Sequence, residues 1–255
     1  MINIIQSEYL KYKRTFKRKL ILLAPLFFIL IALPTKFLMP PDFLKHLKPW
    51  QLLLGNGYNW WSVLFTPMGI ALFAALVQSQ EKKAGNYRGL LLHNISPSAI
   101  WTGKIAVMAI HTFLTTLVLI VVIIISGVIT VGKDIPWLKI FAGGFTIWLT
   151  SLPLIPLQLW AATWKGTAVS IALGIFGLII GAEEAPKPYW IYVPWSWPMR
   201  LLSPITGVHP NGIPLSPGDP LLDSSVIPVG IAVSIITLVV FTFLTAIWFN
   251  KEEVK

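Results

Sequence analysis

Long apolar runs alternate with short polar segments along the whole chain. Six runs approach or exceed the roughly 20 apolar residues that a helix needs to cross a bilayer. They cover residues 20–38, 60–78, 105–131, 137–162, 167–180 and 226–249. The pattern predicts an all-α integral membrane protein in which residues 1–255 form a single domain of six transmembrane helices.

Prolines and glycines modify two of these spans. Pro153 and Pro156 each remove a backbone donor from the fourth span, so we expect a kink there. The fifth span is the shortest, and Gly174, Gly177 and Gly181 indicate a helix that packs closely on its neighbours, or one that is bent or re-entrant. Five spans with one re-entrant segment are therefore the alternative to six.

The composition agrees with a bilayer location. The chain is 55% hydrophobic and 12% charged, values that a water-soluble domain of this length does not reach. The formal net charge of +10 comes mainly from segments at one side: the segments 1–19, 79–104, 163–166 and 250–255 hold 13 of the 20 Lys and Arg. The positive-inside rule places that side, and both termini, in the cytoplasm. Because the basic residues flank apolar runs, nucleic-acid binding is not expected.

The N-terminal segment 7–19 alternates aromatic and basic residues. We expect an amphipathic interfacial helix whose Tyr9 and Tyr12 face lipid while Lys13 and Lys17 meet anionic headgroups. A basic flank that serves only to orient the first span is the alternative.

The polar island 79–104 between the second and third spans contains more apolar side chains than a connecting loop requires. Leu90, Leu91, Leu92 and Ile95 lie within SQEKKAGNYRGLLLHNISPSAIWTGK and are spaced as one face of a short helix. Such a face in a cytoplasmic loop predicts a docking site for another protein.

The segment 181–225 at the other side is rich in Pro and Trp, which excludes a long regular helix. It carries acidic and aromatic residues that suit a cationic amphipathic ligand at the outer leaflet. The candidate contacts are Glu183, Glu184, Trp190, Trp195 and Trp197. An aromatic belt that only anchors helix ends explains the tryptophans equally well.

Motifs of catalysis are missing from the sequence. It contains no cysteine, no GxxxxGK[ST] phosphate loop, and no HExxH or GxSxG pattern, so we assign no catalytic, cofactor-binding or metal-binding residue. His111 is an ionisable residue within the third span, and we expect it to form a hydrogen bond to a neighbouring helix.

Together these features resemble the permease of an ABC transporter of the ABC-2 type. In that family a cytoplasmic coupling helix after the second span contacts the ATPase. The matching residues here are Glu81, Asn86, Arg88, Leu90, Leu91, Leu92, Ile95 and Ser96. The segments WWSVLFTPMGIALFAAL, NYRGLL and PWSWPMRLLSPITGVHPNG are similar to those of the E-type permease subunits of lantibiotic-immunity exporters.

The resemblance implies a multi-pass permease in the plasma membrane of a Gram-positive bacterium. Its expected partners are ABC ATPase subunits, which would bind ATP and Mg²⁺, a second related permease that forms a heterodimer with it, and membrane lipids. The expected substrate is a lantibiotic peptide, removed from the membrane to protect the producer cell. An ABC-2 permease for another peptide, a lipid or a drug is the main alternative. A secondary transporter and a membrane enzyme are less well supported, because the sequence lacks inverted repeats and a polar constellation within the spans.

Overall fold

A computed structural model describes residues 1–13, 15–38, 48–85 and 96–253, without the side chains of residues 28–38, 252 and 253. In these residues the chain is helical apart from turns and one isolated β-bridge between Val208 and Pro214. The α-helices are α1 Ile2–Leu10, α2 Phe16–Leu38, α3 Pro49–Trp60, α4 Thr66–Lys83, α5 Pro97–Thr130, α6 Trp137–Ser151, α7 Leu154–Lys165, α8 Thr167–Glu184, α9 Trp197–Thr206 and α10 Val226–Glu253. The sequence-based prediction of an all-α membrane protein is confirmed.

Four helical stretches are long and apolar enough to cross a membrane. They are Pro49–Lys83, Pro97–Thr130, Thr167–Glu184 and Val226–Lys251, and the bent pair α6 and α7 gives a fifth. Helix α2 covers the first predicted span with 23 residues, but part of its side chains lies outside the described residues. The count of six spans therefore stays a prediction.

The second span begins earlier than the sequence indicates. Helix α3 runs into a π-helical turn, Trp61–Phe65, and then into α4. One continuous helix of 35 residues therefore also includes residues 49–59, which precede the predicted span. Pro67 has no N–H to donate to the preceding turn, and the hydroxyl of Thr66 donates to the carbonyl oxygen of Trp61 at 2.9 Å. A local π-helical turn accommodates such a gap in the helical ladder.

The fourth span is broken, as the prolines predict. Helices α6 and α7 meet at a 40° bend next to Pro153.

In the fifth span, the glycines of α8 allow a close approach to α4 and to the segment that follows α8. A Cβ atom at Gly181 would lie 2.9 Å from the backbone of Trp195, and one at Gly174 would lie 2.7 Å from the Cβ atom of Ala71. The predicted close packing of this span is confirmed.

The buried side chains form two large apolar clusters, one towards each end of the helices. The first surrounds Trp101, Ile155 and Phe249, near the start of α5 and the end of α10. The second surrounds Tyr58 and Ile123, near the other end of α5. Helix α1 packs against α5 beside the first cluster. This position brings the N-terminus to the same end of the molecule as the polar island between the second and third spans.

The predicted interfacial helix 7–19 is wrong in its bounds. The N-terminal helix is Ile2–Leu10, a turn follows, and α2 begins at Phe16. Tyr12, which we expected to face lipid, is 1% exposed and packs on Phe73, and Lys17 is 4% exposed. Tyr12 and Lys17 thus contact protein because the turn after α1 packs on α4, whereas Tyr9 and Lys13 remain exposed.

Candidate functional site

The polar island predicted to bind a partner is described at its two ends only. Six of the predicted coupling residues lie outside the described residues; they are Asn86, Arg88, Leu90, Leu91, Leu92 and Ile95. The other two lie at the ends: Glu81 in the last turn of α4, and Ser96 at the N-terminus of α5. Ser96 caps α5, since its hydroxyl accepts a hydrogen bond from the Ala99 N–H at 3.3 Å, and Pro97 is the first helical residue. A serine N-cap and a proline at the first helical position are both typical of a helix start.

A buried cluster of four charged side chains joins the ends of this island to the N-terminal helix. Lys104 Nζ lies 2.6 Å from Glu81 Oε1 and 2.8 Å from Glu8 Oε2. Lys11 Nζ lies 2.6 Å from Glu8 Oε1 and 2.9 Å from Glu81 Oε1. Each lysine therefore bridges both carboxylates, and three segments of the chain (α1 with the turn after it, α4 and α5) are held at one point.

These ion pairs are buried, so each charge depends on its partners for stabilisation. The Lys104 side chain is fully buried, and those of Glu8 and Glu81 are 2% and 6% exposed. A charge in such a place is stable only if it is paired, because removing a partner leaves an uncompensated buried charge. Burial alone would lower the pKa of Lys11, but its hydrogen bonds and attraction to Glu8 and Glu81 raise that pKa above the ordinary value. Lys11 is therefore a cation at neutral pH.

A small residue allows the cluster to form. Gly103 precedes Lys104, and a Cβ atom there would lie 2.8 Å from Cγ2 of Ile4. A larger residue would push α1 away from α5 and separate Glu8 from Lys104. The glycine thus positions the N-terminal helix within ion-pair distance.

Gln80 extends the cluster by neutral hydrogen bonds. Its amide nitrogen donates to the Lys11 carbonyl at 3.0 Å, and its amide oxygen accepts from Lys17 Nζ. Lys17 also lies over the Tyr12 ring, 4.0 Å from the centroid. The turn between α1 and α2 is therefore fixed against the last turns of α4.

His111 lies deeper in the helices, below the ion pairs. Its Nδ1 is 2.8 Å from the carbonyl oxygen of Val107, on its own helix, so the expected hydrogen bond to a neighbouring helix is wrong. Its neighbours contact it through rings instead: the Tyr12 ring lies edge-on at 4.8 Å and the Phe73 ring at 5.8 Å between centroids. His111 is thus part of the packing between α1, α4 and α5.

The start of α5 is also attached to the end of α10. The indole N–H of Trp101 donates to the Thr245 hydroxyl at 2.9 Å, and its ring stacks on Phe249 at 4.7 Å. The amide of Asn250 donates to the Ser98 hydroxyl at 2.6 Å. The C-terminal end of the polar island is therefore attached to the last span as well as to the N-terminal helix.

At the other end of the molecule, the predicted substrate contacts are divided between surface and interior. Glu183 is exposed, and Glu184 is half-buried and paired with Lys187 at 2.9 Å. Trp190 and Trp197 are 8% and 2% exposed, and together with Leu201 they form a small apolar cluster. Trp195 is half-buried against the glycines of α8. Tyr189 and Tyr192 are the exposed aromatic residues beside them, at 65% and 80%.

The segment 181–225 is more folded than its prolines indicate. Helix α9 is buried along most of its length and packs on α6. Arg200, 5% exposed, donates to the carbonyl oxygens of Leu221 at 3.1 Å and Pro220 at 3.5 Å. Asp219 caps the short helix Pro220–Leu222 by accepting from the Leu221 N–H at 2.8 Å. Arg200 and Asp219 thus stabilise the segment itself.

Sequence reasoning missed the main residues of the charged cluster. Glu8, Lys11 and Lys104 were assigned no site role, although Glu8 and Glu81 are the only carboxylates among the first 104 residues apart from Asp42. Glu8 is an isolated acidic residue in a strongly basic membrane flank, and this is the sequence signal by which a buried ion pair could have been predicted. Among the described residues, no group of three His, Cys, Asp or Glu could hold a metal ion.

Comparison with known proteins gives one match. Residues 4–181, more than half of the 255 in the chain, match the family described as ABC-2 family transporter protein. No curated protein and no solved structure matches the chain. The matched region contains most of α1, the charged cluster and the spans up to the last turn of α8.

Proposed function

The chain belongs to the ABC-2 family of transporter proteins, and on that premise we propose that it is the permease of an exporter that expels lantibiotic peptide from the membrane. A transmembrane permease of an ABC transporter follows from the family, and the family implies an ABC ATPase partner in general. The peptide substrate, the protection of a producer cell, and a second related permease are the proposed part. The localisation in a Gram-positive plasma membrane with both termini in the cytoplasm is proposed with them.

The proposed role in coupling the permease to the ATPase rests on the buried contact between Glu81 and Lys104 at 2.6 Å. These residues stand at the two ends of the segment in which we place the ATPase-contacting face. A docking element transmits force only if its ends are fixed to the spans, and the two lysines and two glutamates provide such a fixed base. The proposed contact residues Leu90, Leu91 and Leu92 lie between those ends in the sequence.

The lantibiotic assignment is supported by the sequence resemblance and by the chemistry of the segment 181–225. Its exposed side chains include Glu183 and the two tyrosines Tyr189 and Tyr192. Carboxylate and aromatic side chains at a membrane surface suit a cationic amphipathic peptide. We propose that this exposed group receives the peptide, with Trp190, Trp195 and Trp197 holding the segment in shape behind it.

Cell survival in a lantibiotic dilution series tests this assignment. The complete transporter is expressed with its native partners, and membrane abundance is measured for each variant. We expect Tyr189→Ser with Tyr192→Ser to weaken protection strongly at normal abundance, and Glu183→Gln with Glu184→Gln to weaken it modestly, since exposed charges contribute little each. Trp137→Ser is the control, because Trp137 is an exposed aromatic residue outside the segment. Full protection in both double variants would exclude the segment from substrate reception.

Export of another peptide, a lipid or a drug by the same architecture is the second candidate. The family match supports it equally, since it carries no information on substrate. Exchange of the segment 181–225 with that of a related permease of different specificity distinguishes the two. If resistance follows the exchanged segment, the peptide assignment holds. If resistance is unchanged, the substrate is selected elsewhere in the permease.

A further inference from the structure

An apolar cavity of about 520 Å³ lies between α2, the π-helical turn, α4, α5 and α6. Its walls include Ala24, Trp61, Phe65 and Ile147, and its volume lies within the range of small-molecule sites. Gly69 and Leu72 belong to its lining and are exposed, so the cavity is open on that side. A Cβ atom at Gly69 would meet no atom within 4 Å.

The cavity is about as deep as one leaflet of a bilayer. Its wall on the second span extends from Trp61 to Phe73, and at 1.5 Å per residue these positions are about 18 Å apart. One leaflet contributes half of the roughly 30 Å of hydrocarbon. Helix α2 runs antiparallel to this wall, because Lys17 contacts Gln80 while the Phe27 ring lies 6.3 Å from the Phe65 ring.

One charged side chain lines the cavity, at the end near Phe73 and His111. Lys17 is 4% exposed, and its polar contacts are the Gln80 amide oxygen and the Tyr12 ring. Within the described part of the chain Lys17 forms no ion pair, since Glu8 and Glu81 pair with Lys11 and Lys104. Lys17 and the four charges of the cluster therefore sum to +1.

A buried cation in excess is stabilised by an anion, and an apolar cleft of leaflet depth is filled by an alkyl chain. Arg18 and Lys19, both exposed, add positive charge at the same helix end. We propose that the cavity binds one anionic phospholipid, with an acyl chain between α2 and α4 and the phosphate at Lys17. This site is independent of what the transporter carries.

Native mass spectrometry of the purified full chain tests the headgroup contact. The protein is titrated with phosphatidylglycerol or phosphatidylcholine in detergent, and the first bound lipid is counted. We expect wild type to prefer phosphatidylglycerol, and Lys17→Gln to bind it about fivefold more weakly, since one basic side chain near a membrane surface contributes about 1 kcal/mol. Lys19→Gln is the matched control: it removes the same charge at an exposed position and should retain the preference. Equal preference in Lys17→Gln and wild type would overturn the headgroup assignment.

A second pair of variants tests the position of the acyl chain. Gly69→Leu places a side chain into the open space of the cavity, and we expect it to displace the first lipid of either headgroup type. Gly69→Ala, the matched control, adds one methyl group and should leave most of the binding. The melting temperature of each variant in detergent shows that it is folded. Retention of the bound lipid by a folded Gly69→Leu variant would remove the lipid from this cavity.

A second copy of the chain is the competing occupant of the open side. Gly69→Cys in the otherwise cysteine-free chain reports on it, because a cysteine at a symmetric interface would form a disulfide between copies. We expect the variant to stay monomeric under oxidation while lipid is bound. Efficient crosslinking together with loss of the lipid signal would show that protein covers the cavity, and the lipid site would be rejected.

Discussion

Lys104 Nζ lies 2.6 Å from Glu81 Oε1, and this contact connects the last turn of α4 to the second turn of α5. Between these two residues the chain passes through the whole segment in which a partner is expected to bind. Glu8 joins the same lysine at 2.8 Å. The two ends of the segment are therefore held at one point to the second span, the third span and the N-terminal helix.

The first prediction concerns the balance of charges in this cluster. Lys104→Gln or Glu81→Gln alone leaves the buried cluster with one charge in excess, since the three remaining charges cannot balance, and we expect a loss of about 3–5 kcal/mol in stability. Thermal unfolding in detergent, monitored by fluorescence of the tryptophans, measures the loss. The double variant Glu81→Gln with Lys104→Gln should be more stable than either single variant, because the two charges that remain, Glu8 and Lys11 at 2.6 Å, balance each other.

A charge-swap variant distinguishes an isolated ion pair from a shared cluster. In Glu81→Lys with Lys104→Glu, the new lysine would face Lys11 and the new glutamate would face Glu8, since each cation touches both carboxylates. We therefore expect the swap to be worse than the neutral double variant. Rescue by the swap to wild-type stability would mean that Glu81 and Lys104 form an isolated pair and not part of a shared cluster.

The second prediction concerns the segment between these residues. Leu91→Asp or Leu92→Asp puts a charge on the face proposed to contact the ATPase, which is unfavourable by several kcal/mol in a protein cleft. Insertion into the membrane should be normal, while the ATPase should no longer co-purify or its activity should no longer be coupled to transport. Lys83→Gln, at an exposed position at the end of α4, is the control. Normal ATPase binding and transport in both Asp variants would refute the coupling-helix assignment.

The spans were predictable because hydropathy is a local property. The predicted spans 105–131 and 226–249 coincide with α5, to within one residue at its end, and with α10. The prolines at 153 and 156 indicated the break of the fourth span. Helix α3 was missed because Gln51, Asn56, Asn59 and two glycines lower its hydropathy. Its helical state depends on contacts made elsewhere in the chain: Gln51 donates to the Gly207 carbonyl at 3.2 Å, and Gly55 lies against Val208.

The candidate site was predictable only in part, because pairing of distant charges is not a local property. The sequence indicated Glu81 and Ser96, which lie at the two ends of the segment. Nothing in the sequence indicates that Glu8 forms an ion pair with Lys104, which lies 96 residues later in the chain. Likewise, Tyr12 and Lys17 have the composition of a lipid-facing flank, and only the fold of α1 onto α5 shows that they face protein.

The third prediction concerns the close contact between α8 and the segment after it. Gly181→Ala would bring a methyl group to 2.9 Å from the backbone of Trp195, and backbone cannot rotate away as a side chain can. We expect a loss of about 1–3 kcal/mol by overpacking. Gly69→Ala is the matched control, because the same change there meets open space within a helix and should be neutral or stabilising by up to about 1 kcal/mol. Equal stability of the two variants in detergent unfolding would show that α8 and Trp195 are not held together.

The last prediction concerns orientation, which rests on the 13 basic residues assigned to one side of the membrane. The chain contains no cysteine, so single cysteines report on sidedness without a background. Ser7→Cys, Ala84→Cys, Lys165→Cys and Lys255→Cys should resist an impermeant thiol reagent in intact cells, while Lys133→Cys, Lys187→Cys and Ser216→Cys should react. Except for residue 255, which lies outside the described residues, all of these positions are exposed, so a lack of labelling there reports the membrane and not burial. Permeabilised cells provide the control, since every one of these cysteines should then react. Labelling of Ala84→Cys from outside intact cells would show that the topology is the inverse of the predicted one. The coupling segment and the charged cluster would then face away from any cytoplasmic ATPase.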